Sequence, residues 1–120
     1  MKYAMLIQVD ADFYARPKDE QNRVHEACGR WHEEIVRSGK AVSATGLQPK
    51  ETAKTVRGRG GKVVVTDGPF AETKEVLGGF EIVECANLEE ALEIATRFPG
   101  LAAGGSVEVR PLVESGQCEA

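Results

Sequence analysis

Four ionisable side chains fall within nine residues of one segment: Asp67, Glu72, Lys74 and Glu75, in the run Asp67-Gly68-Pro69-Phe70-Ala71-Glu72-Thr73-Lys74-Glu75-Val76-Leu77-Gly78-Gly79-Phe80. A positioned carboxylate can take or give a proton, and a nearby ammonium can hold the charge that results. Asp67 is therefore the candidate acid/base group and Lys74 its candidate counter-charge. Phe70, Glu72 and Glu75 are candidate ligand-binding residues on the same turn, and its glycines permit close backbone approach. A structural reading competes with this one. Asp67 would open an Asx-turn whose carboxylate accepts the N–H groups that follow, and the other charges would be a solvated turn.

Other groupings are weaker. His25, Cys28 and His32 stand at i, i+3 and i+7, a spacing that can offer ligands to zinc. Cys28, however, belongs to an apolar stripe with Trp31 and Ile35, so the three are read as the boundary of a core and no metal is expected. Trp31 is read as core or interface. Arg57-Gly58-Arg59-Gly60-Gly61-Lys62 is basic, but no helix starts after it to supply a phosphate-binding dipole, and it reads as a hairpin tip. No Ser-His-Asp grouping, Walker motif or dinucleotide fingerprint occurs, and no cofactor is expected.

The elements that must hold these residues follow from periodicity. Tyr3 to Val9 is almost wholly apolar, as in a strand covered on both faces. Val24, Cys28, Trp31 and Ile35 recur at helical spacing, and Ser38-Gly39 ends that helix. Ala41 to Thr45 is a short strand. Thr52 to Arg57 and Lys62 to Thr66 flank Gly60-Gly61 as a hairpin. Phe80 to Cys85 is the next strand. Asn87 with Glu90 starts a second helix with Leu88, Ala91, Leu92 and Ala95 as its stripe, closed by Pro99-Gly100. Val107, Val109 and Leu112 mark the last strand.

This order, without the hairpin, is βαββαβ: an α+β, ferredoxin-like domain over residues 1–113 with a β-hairpin insertion and a C-terminal tail over 114–120. Both helices must cover one sheet face. The other face carries apolar residues, and a second copy stacked sheet against sheet is its simplest cover, so a homodimer is expected.

The 120 residues suit one domain, and 42% hydrophobic residues suffice for a core. A net charge of −4 gives no basic excess for phosphate neutralisation, so nucleic acid is not an expected partner. The apolar start breaks at Gln8 and Asp10, too early for a signal peptide or a membrane span. Three scattered cysteines, Cys28, Cys85 and Cys118, make a poor disulfide framework, and a cytoplasmic location is expected.

The Asp67-to-Phe80 run resembles the signature of the DGPF family of YCII-related proteins. Met1-Lys2-Tyr3-Ala4-Met5-Leu6-Ile7, Gly46-Leu47-Gln48-Pro49, Thr55-Val56-Arg57 and Gly105-Ser106-Val107-Glu108-Val109-Arg110-Pro111 resemble that family as well, so the likeness spans nearly the whole chain. The resemblance implies a dimeric α/β barrel. It also implies kinship with barrels that include muconolactone isomerases, small monooxygenases and dehydrochlorinase-like enzymes, often without a cofactor, and an association with alternative sigma factors. One departure stands out: family members often carry an aromatic residue after the Gly-Gly-Phe, where this chain has Glu81. On a strand Glu81 points away from Phe80. It would make the dimer cavity more acidic if Phe80 packs under the helices.

Three functions stay open on these residues. One is a small-molecule enzyme without cofactor (an isomerase, lyase or monooxygenase-like protein), with Asp67 as acid/base and Lys74 or Arg110 steering an anionic substrate in the dimer cleft. The second is a non-catalytic ligand-binding or regulatory module within sigma-factor signalling. The third is a plain dimeric scaffold.

Overall fold

The structure, a computed structural model, describes residues 1–114; Cys118 and nearly all of the expected tail lie outside them. Six strands and two helices follow one another as β1 (Lys2–Asp10), α1 (Lys18–Arg37), β2 (Ala41–Gly46), β3 (Lys54–Arg59), β4 (Lys62–Asp67), β5 (Glu75–Glu84), α2 (Leu88–Thr96) and β6 (Ser106–Pro111). Strands β2, β5, β1 and β6 form the main sheet in that order, with every neighbouring pair antiparallel. This is the expected ferredoxin-like α+β plan. β3 and β4 form a separate hairpin, inserted as an arm.

The core lies between the helices and one face of the sheet. Tyr3 and Met5 of β1, Val83 of β5, Trp31 and Ile35 of α1, and Ala91, Ile94 and Ala95 of α2 are buried together. Trp31 joins the two helices: its indole N–H donates to the Ile94 carbonyl at 3.0 Å, and its ring meets Phe98 edge-on at 5.0 Å. Tryptophan thus fills volume and satisfies its one donor at once. On the opposite face, Leu6 is paired with Phe80 and Ala4 with Ile82, all partly exposed.

Local chemistry explains the ends of these elements. Asn87 caps α2 by accepting the Glu90 N–H at 2.9 Å, and the Glu90 carboxylate reaches back to the Ala86 N–H at 3.1 Å, a variant of the capping box. Gly60 (φ 54°) and Gly61 (φ 79°) turn the arm in the left-handed region that a two-residue hairpin of matching twist requires.

Three expectations need correction. β5 begins at Glu75, five residues before the expected Phe80, because Gly78-Gly79 continue the strand instead of ending it. The buried stripe of α2 is Ala91, Ile94 and Ala95, while Leu88 and Leu92 are exposed. Finally, α2 stops at Thr96, and Pro99 begins a separate 3-10 turn, Pro99–Ala103.

Candidate functional site

A half-open, mostly apolar pocket lies on the helix side of the sheet, towards the Asp10 end of β1. The cavity measures about 380 Å³ and is walled by Ile7, Val9, Phe13, Val24 and Phe98, with Tyr14, His25, Cys28 and Asp10 also on its lining. Its floor is Gly78 and Gly79. There the β1–β5 register shifts between Ile7 and Gln8, leaving Gly78 as the unpaired residue of a bulge. A Cβ on Gly78 would sit 2.3 Å from Val9 Cγ2, and one on Gly79 would sit 2.6 Å from the Thr45 carbonyl oxygen. The glycine pair therefore lets β1, β5 and β2 pass close together and keeps the floor free of side chains.

The mouth is held from α1. Gln21, buried at the start of that helix, donates through Nε2 to the Tyr14 carbonyl at 3.2 Å and the Arg16 carbonyl at 2.8 Å. This clamps the 3-10 turn Phe13–Ala15, which carries two of the lining aromatics. The Phe13 and His25 rings lie 5.5 Å apart, and Tyr14 and His25 lie 6.4 Å apart. His25 and Tyr14 are exposed, whereas Cys28 sits one helical turn further in and is partly buried.

The cavity carries little net charge. Asp10 is neutralised by Arg16, whose guanidinium donates to its Oδ2 at 3.0 Å, while the Asp12 N–H donates to its Oδ1 at 3.0 Å. Burial pushes the Cys28 thiol above its ordinary pKa; a hydrogen bond from the Gly100 backbone acts the other way without overcoming it. Cys28 is thus a protonated, weakly polar group here and a poor nucleophile.

The residues singled out from sequence lie elsewhere. Asp67, at the end of β4, is 88% exposed and pairs with the Lys54 ammonium across the arm. Neither Lys74 nor a turn of backbone N–H groups is its partner: the Asp67–Lys74 pairing is corrected to Asp67–Lys54, since the antiparallel register sets Lys54 directly opposite. Phe70 and Glu75 line a broad open hollow of about 780 Å³ on the helix-free side, together with Leu6, Leu47, Val56 and Leu77. Glu72 reaches Lys50 at 3.5 Å, and Glu75 accepts from the Ser106 hydroxyl at 2.6 Å. Arg110 is exposed on β6 and pairs with Glu108.

Glu81 requires the clearest correction. Phe80 faces the helix-free side, so Glu81 points under α1, where it is 2% exposed. Its Oε1 lies 2.7 Å from His32 Nδ1, and Oε2 has no partner among the described residues. It adds no charge to a helix-free cleft. His32 is thus engaged with Glu81, and no group of three metal-ligating side chains converges among the described residues. Sequence reasoning weighed His25 and Cys28 only as metal ligands with His32 and did not connect them with Asp10 and Tyr14. The available signal was His25 and Cys28 one turn apart on the helix edge, but their partners come from distant segments.

Comparisons with known proteins agree with this architecture. A protein of Rhizobium meliloti (strain 1021), described only as uncharacterized, is 40% identical over 114 residues, covering 93% of this chain and 92% of its own length. The solved structure of 5-chloro-2-hydroxyhydroquinone dehydrochlorinase (TftG) from Burkholderia phenoliruptrix AC1100, in complex with 2,5-dihydroxybenzoquinone, superposes with a TM-score of 0.50 and covers 94% of each chain. At 18% identity that likeness speaks for the fold. The YCII-related domain matches residues 1–115, and with nearly the whole chain covered, this protein belongs to the YCII-related family.

Proposed function

We propose that this protein binds a small, uncharged, mostly apolar molecule in the cavity between α1 and the sheet, and that it does so as a homodimer whose subunits cover each other's helix-free faces. The observation that carries the reading is an apolar cavity of about 380 Å³ whose one carboxylate is already neutralised and whose thiol is protonated. Its size falls within the range of small-molecule sites, roughly 300–1,000 Å³. An unpaired anion would meet aromatic and aliphatic walls without compensation. Neither Lys74 nor Arg110 reaches this lining, so neither can steer an anionic substrate into it.

If a reaction takes place there, His25, the one imidazole on the lining, is its proton-transfer group. Asp67 lies outside the cavity lining, and its exposed pairing with Lys54 suits the arm's structure. Partly exposed Leu6, Phe80 and Ile82 on the helix-free face support the homodimer. A regulatory role in sigma-factor signalling would use the same cavity as a sensor site, with His25 idle.

Calorimetry with a panel of neutral and anionic monocyclic compounds tests this. Neutral members should bind at least about tenfold more tightly than anionic counterparts of equal size, a difference of about 1.4 kcal/mol. Val24→Trp, which fills the cavity, should abolish binding while Asp67→Asn leaves it intact. Tighter anion binding, or binding that survives Val24→Trp, would overturn the reading. Light scattering should give twice the chain mass.

A further inference from the structure

The charge preference of the cavity is decided just behind its wall. Asp10, at the end of β1, is the one carboxylate on the lining, and Phe13 is one of its aromatic walls. Both are partners of Arg16, which is not itself on the lining. The Arg16 guanidinium donates to Asp10 Oδ2 at 3.0 Å and stands over the Phe13 ring, 5.7 Å from its centroid. A carboxylate beside an aromatic face is the pair of surfaces that an organic cation seeks. Here the chain's own guanidinium has taken both.

Further contacts fix Arg16 in that place. Its Nη1 reaches the Glu20 carboxylate, in the first turn of α1, at 3.4 Å. Its backbone carbonyl accepts the side-chain N–H of buried Gln21 at 2.8 Å. Gly104 (φ 87°) makes room for the pair: a Cβ there would lie 3.1 Å from Asp10 Oδ2 and 3.6 Å from Arg16 Nη2. The Arg16 and Asp10 side chains are only 25% and 33% exposed, so dissolved salt screens their attraction weakly. Without the guanidinium, a bare carboxylate would face the cavity beside Phe13, whose ring lies 5.3 Å from Tyr14 and 5.5 Å from His25. Among the described residues, no Lys or Arg lines the cavity to take its place.

We propose that Arg16 is the specificity-determining residue of the cavity: it occupies a built-in site for an organic ammonium group, formed by Asp10 and Phe13, and so keeps cations out of a cavity meant for uncharged molecules. This rests on the ligand-binding reading above and adds to it the residue that sets the charge of the ligand. The selectivity is a difference between two affinities, and Arg16 acts on the competitor's side of it. A cation entering the cavity meets a carboxylate whose charge is already answered, and it loses its hydration without compensation. A neutral ligand is spared that loss.

Calorimetry on the full chain at pH 7 with benzyl alcohol and benzylammonium, similar in shape and different in charge, tests this. Wild type should bind the alcohol at least about tenfold more tightly than the ammonium. Arg16→Met, which keeps a long side chain against Phe13 and removes the charge, should reverse that order and raise ammonium affinity at least about tenfold. Arg16→Lys should keep the wild-type order. Should Arg16→Met lose its circular dichroism spectrum, Arg16→Gln makes the same test, since it still donates to Asp10 but carries no charge. Adding Asp10→Asn to the neutral variant should return the preference to the alcohol. An ammonium preference that persists in the double variant would trace to Glu20 and overturn the proposal. So would an unchanged order in the neutral variant, or ammonium binding by that variant that survives Val24→Trp. Each of these leaves the cavity reading standing, whereas a wild type that binds no neutral compound would overturn both.

Discussion

His32 Nδ1 sits 2.7 Å from Glu81 Oε1, joining α1 to a carboxylate that is 2% exposed on a central strand of the sheet. Burial raises the Glu81 carboxyl above its ordinary pKa; the hydrogen bond and the charge of His32 pull it down without cancelling that effect. With Oε2 unpartnered among the described residues, the ionised form is the costly one.

The sign of the pH dependence follows from that pair. A carboxyl whose pKa is raised on folding holds its proton more tightly in the native state. Its favourable contribution is complete below the unfolded pKa and is lost as pH rises through the folded one. Glu81→Gln removes the ionisation and keeps an oxygen for His32. Urea midpoints measured from pH 5 to pH 8 should diverge, the variant gaining on wild type as pH rises. Parallel curves would contradict the assignment.

The glycine floor predicts opposite outcomes for three similar substitutions. Gly79→Ala drives a methyl group into the Thr45 carbonyl and should cost about 1–3 kcal/mol. Gly78→Ala meets the Val9 side chain and should also destabilise. Gly29, within α1 and open to space, should become about 1 kcal/mol more stable as alanine. Chemical denaturation of the three variants checks the order.

Cys28 offers a readout of the cavity. Its thiol is raised by burial, so iodoacetamide at pH 8 should modify it more slowly than a free cysteine peptide. A cavity ligand should slow it further. Peptide mass spectrometry follows the site, and labelling that a bound ligand leaves unchanged would argue against the cavity as its location.

The exposed ion pair on the arm predicts little effect. Asp67→Asn loses a contact with Lys54 in which both side chains are largely exposed. Stability should stay within about 0.5 kcal/mol of wild type, and ligand affinity should not move. A large loss of affinity would restore Asp67 to the site.

Much of the fold was legible because its signals are local. The Val24-Cys28-Trp31-Ile35 spacing, Gly60-Gly61 between two β-rich runs, and Asn87 three residues before Glu90 each state an element within one window, and the structure has all three. What was lost depended on distant partners. Gly78-Gly79 reads as a turn until β2 and Val9 are seen to press on it from both sides. Leu92 reads as core until Ile94 proves to be the residue beneath α2. The cavity could not be read at all, since Phe13, His25, Gly78 and Phe98 meet only after the chain has crossed the sheet. Asp67 stood out for the opposite reason: its neighbours in sequence carry charge, but its neighbour in space is Lys54.

The strand order has a consequence for biosynthesis. β1 emerges from the ribosome first, yet both of its neighbours, β5 and β6, start at Glu75 or later, and β2 also waits for β5. Until Glu75 is translated, the nascent chain can form α1 and the arm but not one rung of the main sheet, and Tyr3, Met5 and Ile7 stay uncovered. Assembly of the main sheet thus waits for β5 and then β6, both distant from β1 in sequence, the kind of long-range closure that slows folding and leaves apolar segments for chaperones to shield.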